Sequence, residues 1–345
     1  MYLEKLVKHL AFQRENINMK RVQVSDNCFA TVDDRNLIYD ANSGFINLDG
    51  GVVIDTQSDL NHAQQMIDLF KQVAPTSELP KRVINTHEDG DHVWGNQLFT
   101  DSEIIGHSSL PERMLATSDP SGSQEMMKQL SQAAGRMELE KEHPGLAGMG
   151  EQTGSVYNFD GIEIVPPTTL FDDRYDLDLA GTEVNLIHVG PCHELGDTII
   201  HVPSEGVLFT GDIVFRECTP LGWIGTYENW FKCLDLITEL NPEVIVPGHG
   251  PICGMEGVRD MRDYLKYVRD EAKILFDERI PVVEAAKRIE FGPYGEWKAP
   301  SRLFFNVERA YREFRGEAFD APWDFADSFD KIYEVSKGKG IKQEF

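Results

Sequence analysis

The chain has no apolar run long enough to cross a bilayer. Its apolar stretches are short and strand-like, as in Val244-Ile245-Val246, against the ~20 residues that a spanning helix needs. Met1 to Lys20 is charged and mixed, without the apolar core of a secretory leader, so a cytoplasmic location is the default expectation. Cysteine is scarce. The five cysteines form no CxxC pair and leave at least one unpaired, which suits a reducing compartment. Positive charge is outnumbered, with 33 Lys and Arg against 58 Asp and Glu, a net charge of −25. Such a chain is repelled by nucleic-acid backbones and anionic membranes, so neither is expected as a partner.

What is present is enough chain, 345 residues, for a large core. Leu3, Leu6, Val7 and Leu10 share a face, which predicts a helical N-terminal extension over residues 1–21. From Val22 to Asp55 short β runs alternate with turns such as Asp49-Gly50-Gly51. Leu60 to Val73 has helical spacing, capped by Ser58 or Asp59, and Arg82 to Thr86 reads as a buried strand. The order repeats loosely later. Leu177–Val189, Thr198–Val202 and Val207–Thr210 are strand-like, Glu228–Glu239 is helical, and Val244–Val246 is a strand. Two such halves with helices outside predict a mixed α/β, four-layer αββα sandwich over residues 22–254. Residues 110–155, with a helical stretch near Gln124–Glu142, read as an inserted flap. Residues 255–345 read as a C-terminal helical appendage, with helices at Gly257–Glu278, Pro281–Ile289 and Ser301–Arg315.

Four separated segments end apolar strands with side chains that can ligate metals. They are Thr86-His87-Glu88-Asp89-Gly90-Asp91-His92, Pro191-Cys192-His193, Thr210-Gly211-Asp212 and Pro247-Gly248-His249. Bent loops beside glycine let several side chains converge. Imidazoles and carboxylates suit divalent transition ions, and a carboxylate can bridge two of them. The set leaves room for water, which marks a catalytic rather than a structural site. Such a centre can reverse the field of an acidic protein locally, so a small anionic substrate is not excluded.

In order and spacing these segments resemble the metallo-β-lactamase superfamily, whose first motif is H-x-H-x-D-H. The resemblance implies that His87 and His193 bind a first divalent ion and that Asp91, His92 and His249 bind a second. Asp212 would bridge them, and Asp91 would also be catalytic, orienting the attacking water and protonating the leaving group. Asp89 stands where the superfamily has its second histidine. A carboxylate there keeps a ligand and hardens the site, so zinc is expected first, with iron or manganese as alternatives. Thr86-His87-Glu88-Asp89-Gly90-Asp91-His92-Val93-Trp94-Gly95-Asn96 is also similar to the motif T-H-x-N-G-D-H-x-x-G-N. That motif belongs to the thioesterase/cyclase branch of aromatic polyketide pathways.

The resemblance therefore implies hydrolysis of a thioester or ester of a small aromatic or polyketide-like acyl compound. Trp94, Trp223 and Tyr227, aromatic residues close to the ligand segments in the chain, read as substrate-binding residues that line an apolar pocket. A diiron oxygen-reactive protein, suggested by Asp89, is the first alternative. A lactonase or other small-molecule esterase is the second. A homodimer stays open. His107 reads as hydrogen-bonded and structural rather than as a support of the site, and His188 and His201 as strand residues. Cys192 reads as a neighbour of the site rather than a ligand, and Glu88 as a spacer facing away. Asp197 reads either as a group that orients a ligand or as a turn residue.

Overall fold

A computed structural model describes residues 17–344 except residue 38 and residues 75–78, 118–122, 133–136 and 138. The helix expected at the N-terminus falls largely outside the described residues. Where its predicted range enters them, the chain is already strand, beginning at Met19.

Among the described residues two sheets form. The first has the order β1 (Met19–Gln23), β2 (Cys28–Asp33), β3 (Ser43–Ile46), β4 (Val52–Ile54), β5 (Arg82–Ile84), β6 (Glu103–His107) and β7 (Thr169–Phe171). It is antiparallel from β1 to β4 and parallel from β4 to β7. The second runs β12 (Val244–Val246), β11 (Val207–Phe209), β10 (Thr198–Val202), β9 (Thr182–His188) and β8 (Arg174–Leu179), with only β11 and β12 parallel. The continuous strand expected over Leu177–Val189 is instead a hairpin. Ala180 and Gly181 both take positive φ, 56° and 93°, the geometry of a tight two-residue turn.

Strand parity builds the layers. Side chains alternate between faces, so Ala30, Ile46, Ile54, Ile84 and Ile105 of the first sheet meet Leu186, Ile200, Val202, Phe209 and Val246 of the second. Their neighbours Phe29, Phe45, Val53, Val83 and Ile104 point outward, onto Met66, Ile67 and Phe70 of α1 (Leu60–Lys71). Asp59 caps that helix by accepting from the His62 N–H at 2.8 Å. On the other side Ile199, Leu208 and Ile245 face helices α6 (Tyr227–Leu240) and α7 (Met255–Asp277). The result is helix, sheet, sheet, helix.

The C-terminal helices pack directly onto this core. Val258, Met261 and Leu265 of α7 share one buried cluster with Ile199 and Leu208. After it come α8 (Val282–Arg288), α9 (Leu303–Arg315) and α10 (Phe325–Lys339), the last of which the sequence reading missed. After the short helix α2 (Gly90–Val93), the flap carries α3 (Leu110–Ala116), α4 (Ser123–Ser131) and α5 (Pro144–Gly154). It is clasped by the last helix. Asp330 accepts from the Gly145 N–H at 2.9 Å, and its other oxygen lies 2.7 Å from His143 Nδ1.

If α7 is part of the core, Met261→Ala should cost about 2–5 kcal/mol. Urea unfolding should remain one transition with a lower midpoint. An unchanged midpoint, or a separate transition for the C-terminal helices, would contradict this packing.

Candidate metal centre

The four ligand-bearing segments are brought together because the strands that precede them end on one rim. His87, Asp89, Asp91 and His92 follow β5, Asp212 follows β11, and His249 follows β12, while His193 sits on the loop between β9 and β10. The loop after β12 must pass very close to Asp212. A Cβ on Gly248 would lie 1.9 Å from Asp212 Oδ1, so only glycine fits there.

Three overlapping trios of ligand atoms result, His87 with Asp89 and His193, Asp91 with His92 and His249, and His87 with His92 and Asp212; the atoms of each lie within 4.8 Å of one another. Asp212 stands between the first two. Its Oδ2 is 3.3 Å from His193 Nε2 and 3.4 Å from His249 Nε2, and its Oδ1 is 3.2 Å from His92 Nε2. Asp89 Oδ2 approaches His193 Nε2 at 3.1 Å, so this carboxylate does face the cluster.

Three of the four imidazoles are aimed by their other nitrogen, the usual support of a metal-binding histidine, whereas His249 Nδ1 is buried without a hydrogen-bond partner. His92 Nδ1 donates to Asp55 Oδ2 at 2.8 Å, and His193 Nδ1 donates to the Leu221 carbonyl at 2.6 Å. His87 Nδ1 donates to Thr86 Oγ1 at 2.9 Å, and that hydroxyl in turn donates to Asp55 Oδ2 at 2.7 Å. Asp55 was missed in the sequence. Its one signal was a carboxylate directly after the buried triplet Val52-Val53-Ile54, the same pattern that marked the other segments. It also takes φ of 59°, a left-handed conformation that is unfavourable without glycine.

The ligand loops are tied to one another. Asp197 Oδ2 accepts from the N–H groups of Cys192 and His193, both at 2.8 Å, so it orients the His193 loop. Glu88 turns away from the cluster and accepts from the Gly196 N–H at 3.1 Å and from Arg113 of α3. Arg113 also donates to Glu194 at 2.8 Å. Elsewhere His107 stacks on His188 at 3.9 Å, and Cys192 belongs to neither trio.

The buried charges pull the histidines apart. Burial, then the neighbouring His92, holds His87 well below its ordinary pKa. Burial also acts to lower His92 and His193, but Asp212 and the other carboxylates outweigh it and raise both well above the ordinary value. Burial would raise Asp212, yet His249, His92 and His193 hold it well below the carboxylate range. The protein fits cations here. His87 Nε2, His92 Nε2 and Asp212 Oδ1 are buried and have no hydrogen-bond partner, an arrangement that is costly unless something else satisfies them.

The cluster opens into a cleft of about 470 Å³. Trp94 and Trp223 line it, as expected, together with Tyr39, Met149, Phe325 and Phe329. Tyr227 does not. Its hydroxyl donates to the Asn306 carbonyl at 2.9 Å inside the core, because the first turn of α6 faces α9.

This fold and site are those of a known class, and the chain belongs to the metallo-beta-lactamase superfamily, whose sequence pattern matches residues 39–249. Among curated proteins it is similar to the linear primary-alkylsulfatase of Pseudomonas sp., 21% identical over 271 residues, covering 71% of this chain and 49% of that protein. Among solved structures it is similar to the stereoselective inverting sec-alkylsulfatase Pisa1 from Pseudomonas sp. (TM-score 0.63) and to a double mutant of PisA1 (TM-score 0.65). Both are 17% identical, and each match covers 89% of this chain and 52% of the other. The chain thus spans about half the length of these relatives. They are alkylsulfatases, not members of the thioesterase/cyclase branch that the first motif resembled. No helix among the described residues is long and apolar enough to cross a membrane.

Asp55→Ala removes the acceptor that aims His92 and steadies His87. It should weaken metal binding by about 10–100-fold, read by competition with a chromophoric chelator. Affinity equal to that of the parent protein would show that Asp55 does not support the cluster.

Proposed function

We propose that this protein is a dinuclear metal-dependent hydrolase that cleaves sulfate esters of apolar alcohols. The observation that carries the reading is the set of overlapping ligand trios, with Asp212 within 3.4 Å of His92, His193 and His249, at the foot of a cleft with aromatic walls. The choice of a sulfate ester follows the relatives, which are named as alkylsulfatases.

In this reading His87, Asp89 and His193 hold one divalent ion, Asp91, His92 and His249 hold the other, and Asp212 is shared. Zinc is the first candidate, with iron or manganese favoured by the hard oxygen of Asp89. When bound, the ions supply a water acidic enough to act as a nucleophile near neutral pH. Asp91, 3.2 Å from His249 Nε2, is placed to orient that water through Oδ2 and to hold the proton passed on to the leaving alcohol. Trp94 and Trp223 pack against the apolar part of the substrate and keep bulk water from it. In the balanced step the water oxygen bonds to sulfur, the S–O bond to the alcohol breaks, one proton of the water goes by way of Asp91 to that alcohol, and sulfate leaves with the added oxygen. A cytoplasmic location belongs to the same reading, in keeping with five free cysteines.

Hydrolysis of a carboxylic ester or thioester is the competing reading, supported by the motif around His87, and Asp89 supports a diiron oxygen-reactive one. A panel of alkyl and aryl sulfates, carboxylic esters, thioesters, lactones and lactams separates them. Sulfate esters should turn over fastest, and Asp212→Ala should lose that activity together with bound metal. Faster thioester turnover would select the acyl reading, and oxygen consumption with a reductant as the only activity would select the diiron one.

A further inference from the structure

The cleft contains a buried guanidinium that the cluster does not use. Arg302 lines the cleft yet is only 3% exposed. Among the described residues its side chain forms no ion pair with a carboxylate. Its one hydrogen bond runs from Nη1 to the Thr219 carbonyl at 3.2 Å, and its Nε is buried with no partner. Arginine offers five N–H donors in a planar fork, so most of this group's capacity is left over. A buried charge in that state is unfavourable unless a partner arrives.

What surrounds Arg302 says which partner. Burial pushes the guanidinium below its usual pKa, while Cys218, Asp212 and Asp91 lie close enough to act on it the other way. Cations at the cluster would offset the charges of Asp89, Asp91 and Asp212, so those carboxylates would no longer compensate Arg302. Arg302 also lies beyond residues 39–249, the part of the chain that matches the superfamily pattern. It enters from the turn Pro300–Arg302 just before α9.

We propose that Arg302 is the receptor for the charged head of the substrate, a singly charged tetrahedral oxyanion of the sulfate-monoester class, which its guanidinium grips beside the metal centre. The inference rests on the hydrolase reading above and deepens it. Of the two arginines that line the cleft, Arg113 is paired with Glu88 and Glu194, which leaves the fork of Arg302 to match one negative charge, and its planar donors suit the paired oxygens of such a head. Neutral esters of the same alcohol lack the group that satisfies Arg302, so the enzyme discriminates against them in binding as well as in turnover.

The test uses the full metal-loaded chain and calorimetry with octanesulfonate, a sulfate-ester analogue that cannot be hydrolysed. The parent protein should bind it at least about tenfold more tightly than octanol, and Arg302→Met should weaken sulfonate binding about tenfold or more. Octanol binding and metal content should stay as they are, and Arg302→Lys should fall between the two proteins. Sulfonate affinity in Arg302→Met within about twofold of the parent overturns the proposal. Should the variants not fold, the parent protein still decides. Equal affinity for octanol and octanesulfonate, or tighter binding of octanephosphonate, overturns it as well. Sulfonate selectivity that depends on Arg302, without turnover of any sulfate ester, would keep this receptor and remove the proposed reaction.

Discussion

Everything at the rim of the two sheets depends on holding four imidazoles and three carboxylates together away from water. His87, His92, His193 and His249 are buried with Asp91 and Asp212, and Asp89 closes the set at its more exposed edge. Groups in such numbers repel or neutralise one another, and desolvation penalises every charged form. Buried ligand atoms of His87, His92 and Asp212 have no hydrogen-bond partner. A cation needs its imidazole ligands neutral, so the state of the centre is coupled to pH.

The fold meets that demand with supports that are themselves buried carboxylates. Asp55 aims His92 directly and His87 through Thr86, and Asp197 fixes the backbone that carries His193. Glu88 and Glu194 meet on Arg113, which ties the flap to two ligand loops. The C-terminal helices complete the other side. Phe325 and Phe329 of α10 and Arg302 before α9 form cleft wall, which makes residues 255–345 part of the site as well as of the core.

The ligands were legible in the sequence because metal chemistry restricts residue types and the loops that carry them are short and local. Strand parity likewise gave the layers, since Ile84 and Ile105 differ in facing from Val83 and Ile104 by position alone. Features that depend on long-range packing were not legible. Tyr227 follows Trp223 closely in the chain, yet a helix start turns its ring into the core toward Asn306. The turn at Ala180-Gly181 was hidden because alanine rarely adopts positive φ. Arg302 lies 90 residues after Asp212 in the numbering, and nothing local marks it as a cleft residue. The matched relatives are alkylsulfatases rather than members of the branch that the His87 motif resembles, for a related reason. The motif around His87 reports the ligands, which many branches share, whereas the walls that select a substrate come from distant segments.

The central claim is that one cluster holds two ions through a shared Asp212. Its most direct measurement is the metal-to-protein ratio of the purified, reconstituted chain by elemental analysis, compared with Asp212→Asn. The account predicts about two divalent ions per chain in the parent protein and a clear loss in the variant, since both ions lean on the same carboxylate. A ratio that stays near one after reconstitution, or a variant that retains both ions, would contradict it.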